Sequence, residues 1–273
     1  MKRVIAIIIL SVILMAVFGC ARTSDNTPTD SPAATPQINT EEPAATPSPE
    51  RELASTEIIE LERLDVPNIV EGGGSFEFLD IEELFSLCGY AVYCKIVSTQ
   101  EVKIVSTYTT GSPSEIYATV LEVEVVKNYG NKDLEHIKDG KIRIEYPTST
   151  HKRYICSVDF KAGDECILLL MDSTAVRPNM PQNYYEYVPY RVFATGEFVI
   201  EKTENGFNAL GLMALSKGET YAYIEYLELD ERGAAYYSLE EVEAVISDNI
   251  DKLQGLTYKE FLQNYLIRRQ NAE

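Results

Sequence analysis

From Ile116 to Val126 the chain alternates with a period of two. Tyr117, Thr119, Leu121, Val123 and Val125 fall on one face, and Glu122 and Glu124 mark the other. Successive strand residues point to opposite sides of a sheet, so this pattern predicts a strand with one dry and one wet face. Such a strand must find partners and a cover, and the rest of the sequence supplies both. Ala91 to Val97 reads as a strand, with Lys103 to Tyr108 extending or pairing with it. Lys141 to Tyr146 turns Ile142 and Ile144 inward, and Cys166 to Met171 is apolar throughout, as a strand covered on both faces is. Residues 191–201 and 206–212 read as two further strands joined at Glu204-Asn205-Gly206, where Asn-Gly supplies the positive φ of a tight hairpin. Many short strands at this spacing predict a barrel or a sandwich.

Helices frame the strands. Asp80 caps a short helix over Ile81 to Phe85, with Glu83 reaching back. Near the C-terminus Ser238 with Glu241 forms a capping box, and Tyr237 with Val242 a hydrophobic staple. Leu239, Val242, Val245, Ile246 and Leu253 form the buried stripe, and Gly255 ends the helix. Thr257 with Glu260 and Leu256 with Phe261 repeat both devices, which predicts helices over 239–254 and 257–268. The expected class is mainly β with appended helices (α+β). No internal repeat is present.

The N-terminus carries an address. Met1-Lys2-Arg3 precedes an uncharged run from Val4 to Phe18 and a Gly19-Cys20 junction. A basic start, a short apolar run and a small residue at the cut make a secretory signal, and the run is shorter than a membrane-spanning helix requires. Val17-Phe18-Gly19-Cys20 resembles the bacterial lipobox, which implies lipidation of Cys20 and anchoring on the extracytoplasmic side of the cell membrane. Residues 20–54 are rich in Thr, Pro, Ala, Ser and Glu, with one Ile, no aromatic and no periodic apolar face. Such a segment cannot offset the entropy of ordering its backbone, and its prolines make it a semi-stiff tether. The expected organisation is therefore a signal peptide over 1–19, a tether over 20–54, a β-rich domain over 55–215 and a helical extension over 216–273.

The formal charge is −19, and loss of Lys2 and Arg3 with the signal makes it −21. A surface this acidic repels nucleic acid and disfavours it as a partner. Export permits disulfides among Cys88, Cys94, Cys156 and Cys166, and four thiols allow three full pairings. Cys94 alternates with Val92 and Ile96, and Cys166 with Leu168 and Leu170, as buried free cysteines do. At most one bridge is expected, between Cys88 and Cys156 nearer the strand ends. With His136 and His151 the only histidines and no zinc-like spacing, neither a metal nor a cofactor is expected.

No constellation makes a convincing enzyme. Ser149-Thr150-His151-Lys152 has the Ser-x-x-Lys spacing of serine acyl enzymes, but it follows a strand and a proline rather than opening a helix. Glu71-Gly72-Gly73-Gly74-Ser75 lacks the lysine of a phosphate cradle and reads as a hinge. The sharper candidate is the proline-rich loop 172–190, whose Tyr184, Tyr185, Tyr187 and Tyr190 offer rigid amphipathic contact area for a ligand or partner. The alternative for this loop is a lid whose tyrosines plug the domain.

Four stretches carry a family resemblance: Cys88-Gly-Tyr-Ala-Val-Tyr-Cys-Lys-Ile-Val, then Tyr117 to Lys127, then Ile142-Arg-Ile-Glu-Tyr146, then Cys156 through Gly163-Asp164-Glu165 to Leu170. Together they resemble the netrin-like module of the tissue inhibitors of metalloproteinases, over roughly a third of the chain. The resemblance implies an OB-like closed barrel, here with two C-terminal helices. It does not carry that family's inhibitory chemistry, which needs a free N-terminal cysteine at the barrel edge, whereas Cys20 is expected to be lipidated and lies far upstream. The functional expectation is a membrane-anchored binding module for a protein or cell-envelope ligand, with a cell-envelope hydrolase as the competing class.

Overall fold

The computed structural model describes residues 53–70, 80–109, 112–154, 157–193, 198–219 and 236–272. The signal, Cys20, nearly all of the tether, the glycine-rich hinge and Cys156 lie outside the described residues. Residues 49–273 form one unit by their contacts.

The protein is mainly β. Its strands are β1 (Leu53–Leu61), β2 (Ile69–Val70), β3 (Tyr90–Tyr108), β4 (Ser114–Asn128), β5 (Lys141–Tyr146), β6 (Arg153–Tyr154), β7 (Glu165–Asp172), β8 (Tyr190–Val192), β9 (Val199–Thr203), β10 (Gly206–Asn208) and β11 (Tyr236–Tyr237). β1 begins at Leu53, just inside the expected tether. Pairing runs β1-β3-β4-β5-β8-β7-β9-β10-β11, and β3 also pairs with β7. The pairings β3–β4–β5–β8–β7–β3 thus return to their start. All are antiparallel except β5–β8.

β3 makes this circuit by changing partners along its length. Tyr90–Lys95 pair with β7, Glu101–Tyr108 pair with β1, and β4 lies along both halves. The β3–β4 register shifts at Tyr93/Cys94 and again at Ile96/Ser98, between the two halves. An extra residue bends a strand and increases its twist, which is how one strand can serve two partners on different sides. The expected strands at 91–97 and 103–108 are therefore one continuous strand.

The alternation in β4 predicts burial at Leu121 and Val123, but nearer its start Ala118 and Val120 of the expected wet face are buried while Tyr117 and Thr119 are half-buried. Leu121 and Val123 are fully buried with Ile142 and Ile144 in the main core, where all of Cys166–Met171 also lie. A second, smaller core sits on the opposite face, where Val102, Ile104, Ala118 and Val120 pack with Tyr184 and Val188.

The helices are α1 (Ile81–Leu87), α2 (Ser173–Val176), α3 (Gln182–Tyr187), α4 (Leu210–Ser216), α5 (Leu239–Asn249) and α6 (Tyr258–Ala272). Both capping boxes at α1 and α5 form, and Thr257 caps α6 through Glu260 in the same way. Val242 and Ile246 are fully buried, with Leu239, Val245 and Leu253 packed against the main core. Gly255 adopts φ +65° and sits so near Gly89 that a Cβ on it would lie 3.3 Å from the Gly89 Cα. Its N–H donates to Cys88 O at 2.9 Å, and Leu256 N–H to Ser86 O at 3.0 Å, fastening the C-terminal helices to α1.

The region after β9 departs from expectation. β9 and β10 form the hairpin, but the positive φ falls on Gly206 (+128°) and not on Asn205. The strand expected to continue to 212 stops at Asn208, and Leu210–Ser216 is helical. Leu212, Met213, Ala214 and Leu215 are all buried there. A helix covered on every side loses the polar stripe that would distinguish it from a buried strand.

Candidate functional site

Alternation gives β4 and β5 an outer face as well as an inner one. Opposite pairs across it are Val120 with Glu145, Glu122 with Arg143 and Glu124 with Lys141. Residues 173–189 fold over one half of this face as a lid. Its neck is closed by Ser173 N–H donating to Pro189 O at 2.9 Å and Ser173 Oγ donating to Val188 O at 2.5 Å.

Beneath the lid lies a buried charge cluster. Glu145 is wholly inaccessible to solvent. Arg177 Nη2 of the lid donates to its Oε1 at 2.7 Å, and the Tyr184 hydroxyl donates to its Oε2. Arg191, the register partner of Glu145 on β8, brings its Nε within 3.5 Å of Oε1. Burial lowers the pKa of Arg191 from its usual value, partly opposed by the Glu145 charge, and raises that of Tyr184. Arg177 Nη1 and Arg191 Nε are buried without an acceptor among the described residues. Two guanidiniums thus share one carboxylate. This arrangement holds the lid down.

The four loop tyrosines separate by role. Tyr184 is fully buried, and Tyr190 is buried with its hydroxyl donating to Glu135 O at 2.7 Å, so neither is surface available to a partner. This corrects the expectation for those two: each ring has an apolar pocket to fill and its hydroxyl a partner inside. Tyr185 is half-buried, donating to Arg177 O and accepting from Met180 N–H at 3.0 Å. Tyr187 is also half-buried, with the Arg143 guanidinium 5.1 Å from its ring centre.

The other half of the outer face is open. It forms the floor of a cleft of about 560 Å³, bounded by Glu186 and Pro189 of the lid edge and by the segment 136–139. Roughly 300–1,000 Å³ is the usual size of a small-molecule site. The floor carries Lys141 and Arg143, both near Glu122 at 3.3 and 4.0 Å. The wall adds His136, Lys138 and Asp139. His136 (φ 61°) and Asp139 (φ 53°) both take the left-handed backbone, a costly conformation for residues with a Cβ that recurs where a loop is shaped for function. Lys138, Lys141 and Arg143 balance Glu122, Asp139 and Glu186, with His136 beside them, on a chain that is otherwise strongly acidic. The chemistry offered is hydrogen bonding and charge, suited to a polar or anionic ligand.

The Ser149–Lys152 motif lies in a different place. Ser149 and Lys152 close a tight turn through reciprocal backbone hydrogen bonds of 3.1 Å, and Ser149 Oγ accepts from the N–H groups of His151 and Lys152. Lys152 Nζ rests 5.9 Å from the Tyr154 ring centre. The turn serves Glu101, whose carboxylate accepts from Thr150 N–H at 2.8 Å and Thr150 Oγ at 2.6 Å. It is a fastening.

Cys88 is a free and fully buried thiol whose pKa is raised by burial, and its expected partner Cys156 lies outside the described residues. Among the described residues no helix is long and apolar enough to cross a membrane. No protein-family model, curated protein or solved structure matches this chain.

Sequence reading missed Glu145, Arg177 and Arg191. The signal for one of them was local: Arg191 sits in a three-residue strand between Tyr190 and Val192, both buried, and an arginine there needs an anion. Nothing local marked Glu145, because the lid that buries it arrives from more than thirty residues away.

Proposed function

We propose that this chain is a membrane-tethered, extracytoplasmic lipoprotein whose folded part is a binding module, with the open cleft on β4 and β5 as its contact site. The cleft carries the reading: it joins small-molecule dimensions to three cationic side chains that cancel its carboxylates, in a chain of formal charge −19. Anionic groups of cell-envelope polymers, or of a partner protein, match that chemistry.

The strand circuit supports an OB-like closed barrel, in line with the netrin-like resemblance. With β3 as its first strand, the order is 1-2-3-5-4-1. OB folds bind ligands on the face of their second and third strands and on the loops beside it. Those strands are β4 and β5 here, and the loop between the fourth and fifth is the lid. The location of the cleft is thus the one this architecture would favour.

Two measurements test the reading. Mass spectrometry of membrane-extracted protein is expected to find a diacylated or triacylated Cys20 at the mature N-terminus, and any other N-terminus overturns the tether. Soluble chain carrying Cys20→Ser is expected to co-sediment with isolated bacterial envelopes, and Lys138→Glu with Lys141→Glu to reduce the bound fraction at least fivefold at low salt. Equal sedimentation of a folded variant would remove the cleft from the contact surface.

A further inference from the structure

β3 and β7 close the strand circuit, and at the middle of their contact two cysteines face each other. Cys94 and Cys166 are register partners, both fully buried, with their sulfur atoms 3.7 Å apart. Seventy-two residues of chain separate them. Directly opposed residues of an antiparallel pair have Cα atoms about 4.5–5.5 Å apart, which falls inside the roughly 4.4–6.8 Å that disulfides span. Closing the remaining gap between the sulfurs requires side-chain rotation and no change of register.

We infer that Cys94 and Cys166 are joined by a disulfide when the chain folds under oxidising conditions, locking β3 to β7. In the folded state the hydrogen bond to Cys94, then burial, raise the Cys166 pKa well above its usual value, so few thiolates form there. Exchange must therefore precede burial of the seam. One cysteine thiolate attacks a sulfur of a small disulfide such as oxidised glutathione, giving a mixed disulfide and one released thiol. The second cysteine thiolate attacks the protein sulfur and expels the second thiol. The pair loses two protons and two electrons, and the small disulfide is reduced to two thiols. Once folded, the bridge is shielded from reductant. The bond shares no cysteine with the expected Cys88–Cys156 pairing, and it requires an oxidant rather than export, so it stands or falls separately from the proposed address.

The test uses the full chain with Cys20→Ser, unfolded in urea with reductant and refolded in a buffer rich in oxidised glutathione. Free thiols are blocked with iodoacetamide before tryptic mapping. Cys94 lies on the peptide 64–95, Cys166 on 162–191 (the Arg177-Pro178 bond resists trypsin) and Cys156 on 154–161, so the two pairings give different cross-linked masses. Expected is 64–95 joined to 162–191 in most molecules. The same product in the Cys88→Ala variant assigns the bond to Cys94, since Cys88 shares its peptide. Native protein should resist reduction that urea makes complete. Alkylated Cys166 after refolding, or Cys166 joined to any peptide other than 64–95 in the Cys88→Ala variant, overturns the inference.

Discussion

Glu101 and Glu145 are both buried glutamates on neighbouring parts of one sheet, yet the chain satisfies them in opposite ways. Glu145 is met by long side chains: two arginines and a tyrosine, two of them supplied by the lid. Glu101 is met by a neutral turn, through the backbone and hydroxyl of Thr150, with His151 Nε2 3.8 Å away. Charge compensation makes the first a clamp between distant segments. Local hydrogen bonding makes the second a corner post, since the same Thr150 hydroxyl accepts from Leu64 N–H at 2.9 Å and fixes the chain leaving β1. The two environments predict different costs for the same loss of charge.

The largest effect is expected at Glu145. Glu145→Leu leaves two buried guanidiniums facing each other unpaired, and breaking a buried pair from one side costs about 3–5 kcal/mol. Denaturant unfolding should show that loss, and amide exchange should quicken across 173–189 before the rest. The sharper form adds Arg177→Met and Arg191→Met. With all three charges gone, stability should return to within about 1 kcal/mol of the parent, because apolar replacements of buried ion clusters are often neutral or better. A triple variant as weak as the single one would mean the cluster stabilises by shape rather than by charge.

Glu101→Gln should cost less. The amide keeps one acceptor oxygen, so one of the two Thr150 donors loses its partner, at about 1–3 kcal/mol. Protection from exchange should fall first at Leu64 and Thr150. A cost equal to that of Glu145→Leu would break the comparison and make burial alone the determinant.

A third carboxylate, Glu243, extends the series to the surface. It sits on the half-exposed flank of α5, accepting from Lys127 Nζ at 2.7 Å and from the Tyr129 hydroxyl at 2.8 Å. Solvent screens this pair, so Glu243→Gln should lower stability by only about 0.5 kcal/mol, measured by the denaturation midpoint at low salt. Ala244→Lys on the exposed side of the same helix should change it less still.

What was legible in the sequence follows the range of the forces involved. The period of β4 at Leu121 and Val123, the apolar run of β7 and the Asp80 and Ser238 caps depend on neighbours a few residues away, and each took its expected place. Glu243 reads as an outward helix residue by the same period, and the structure adds a partner that period cannot reveal. The inward turn of Tyr184, the burial of Glu145 and the facing of Cys94 with Cys166 all depend on register between strands or on where a loop lands. These are long-range facts, and a one-residue slip would undo each of them. Helix α4 escaped for a different reason, because burial of the four consecutive residues Leu212–Leu215 leaves its pattern without a polar half.

An effect of opposite sign is expected at Asp172 in the neck of the lid. This carboxylate is partly buried and among the described residues has the Tyr90 hydroxyl, at 3.4 Å, for its side-chain hydrogen bond, so burial raises its pKa above the usual 3.8 while burial likewise lifts Tyr90 to about 12. Lys132 and His136 oppose the shift and Glu135 adds to it. A carboxylate with a raised folded pKa binds its proton more tightly in the folded state. Its contribution is therefore fully present below pH 3.8 and is lost as pH rises through the folded value. For Glu243 the sign reverses: Lys127 first, then Tyr129, hold its pKa below 4.5, so its stabilisation is present above that pH and is lost on acidification. Asp172→Asn should accordingly match the parent near pH 3 and become the more stable of the two as pH rises past 4. Glu243→Gln should match the parent in acid and fall behind it over the same range. Chemical denaturation of both variants between pH 3 and 7 reads the two signs directly, and parallel curves would show that the neck carboxylate is as well solvated as the surface one.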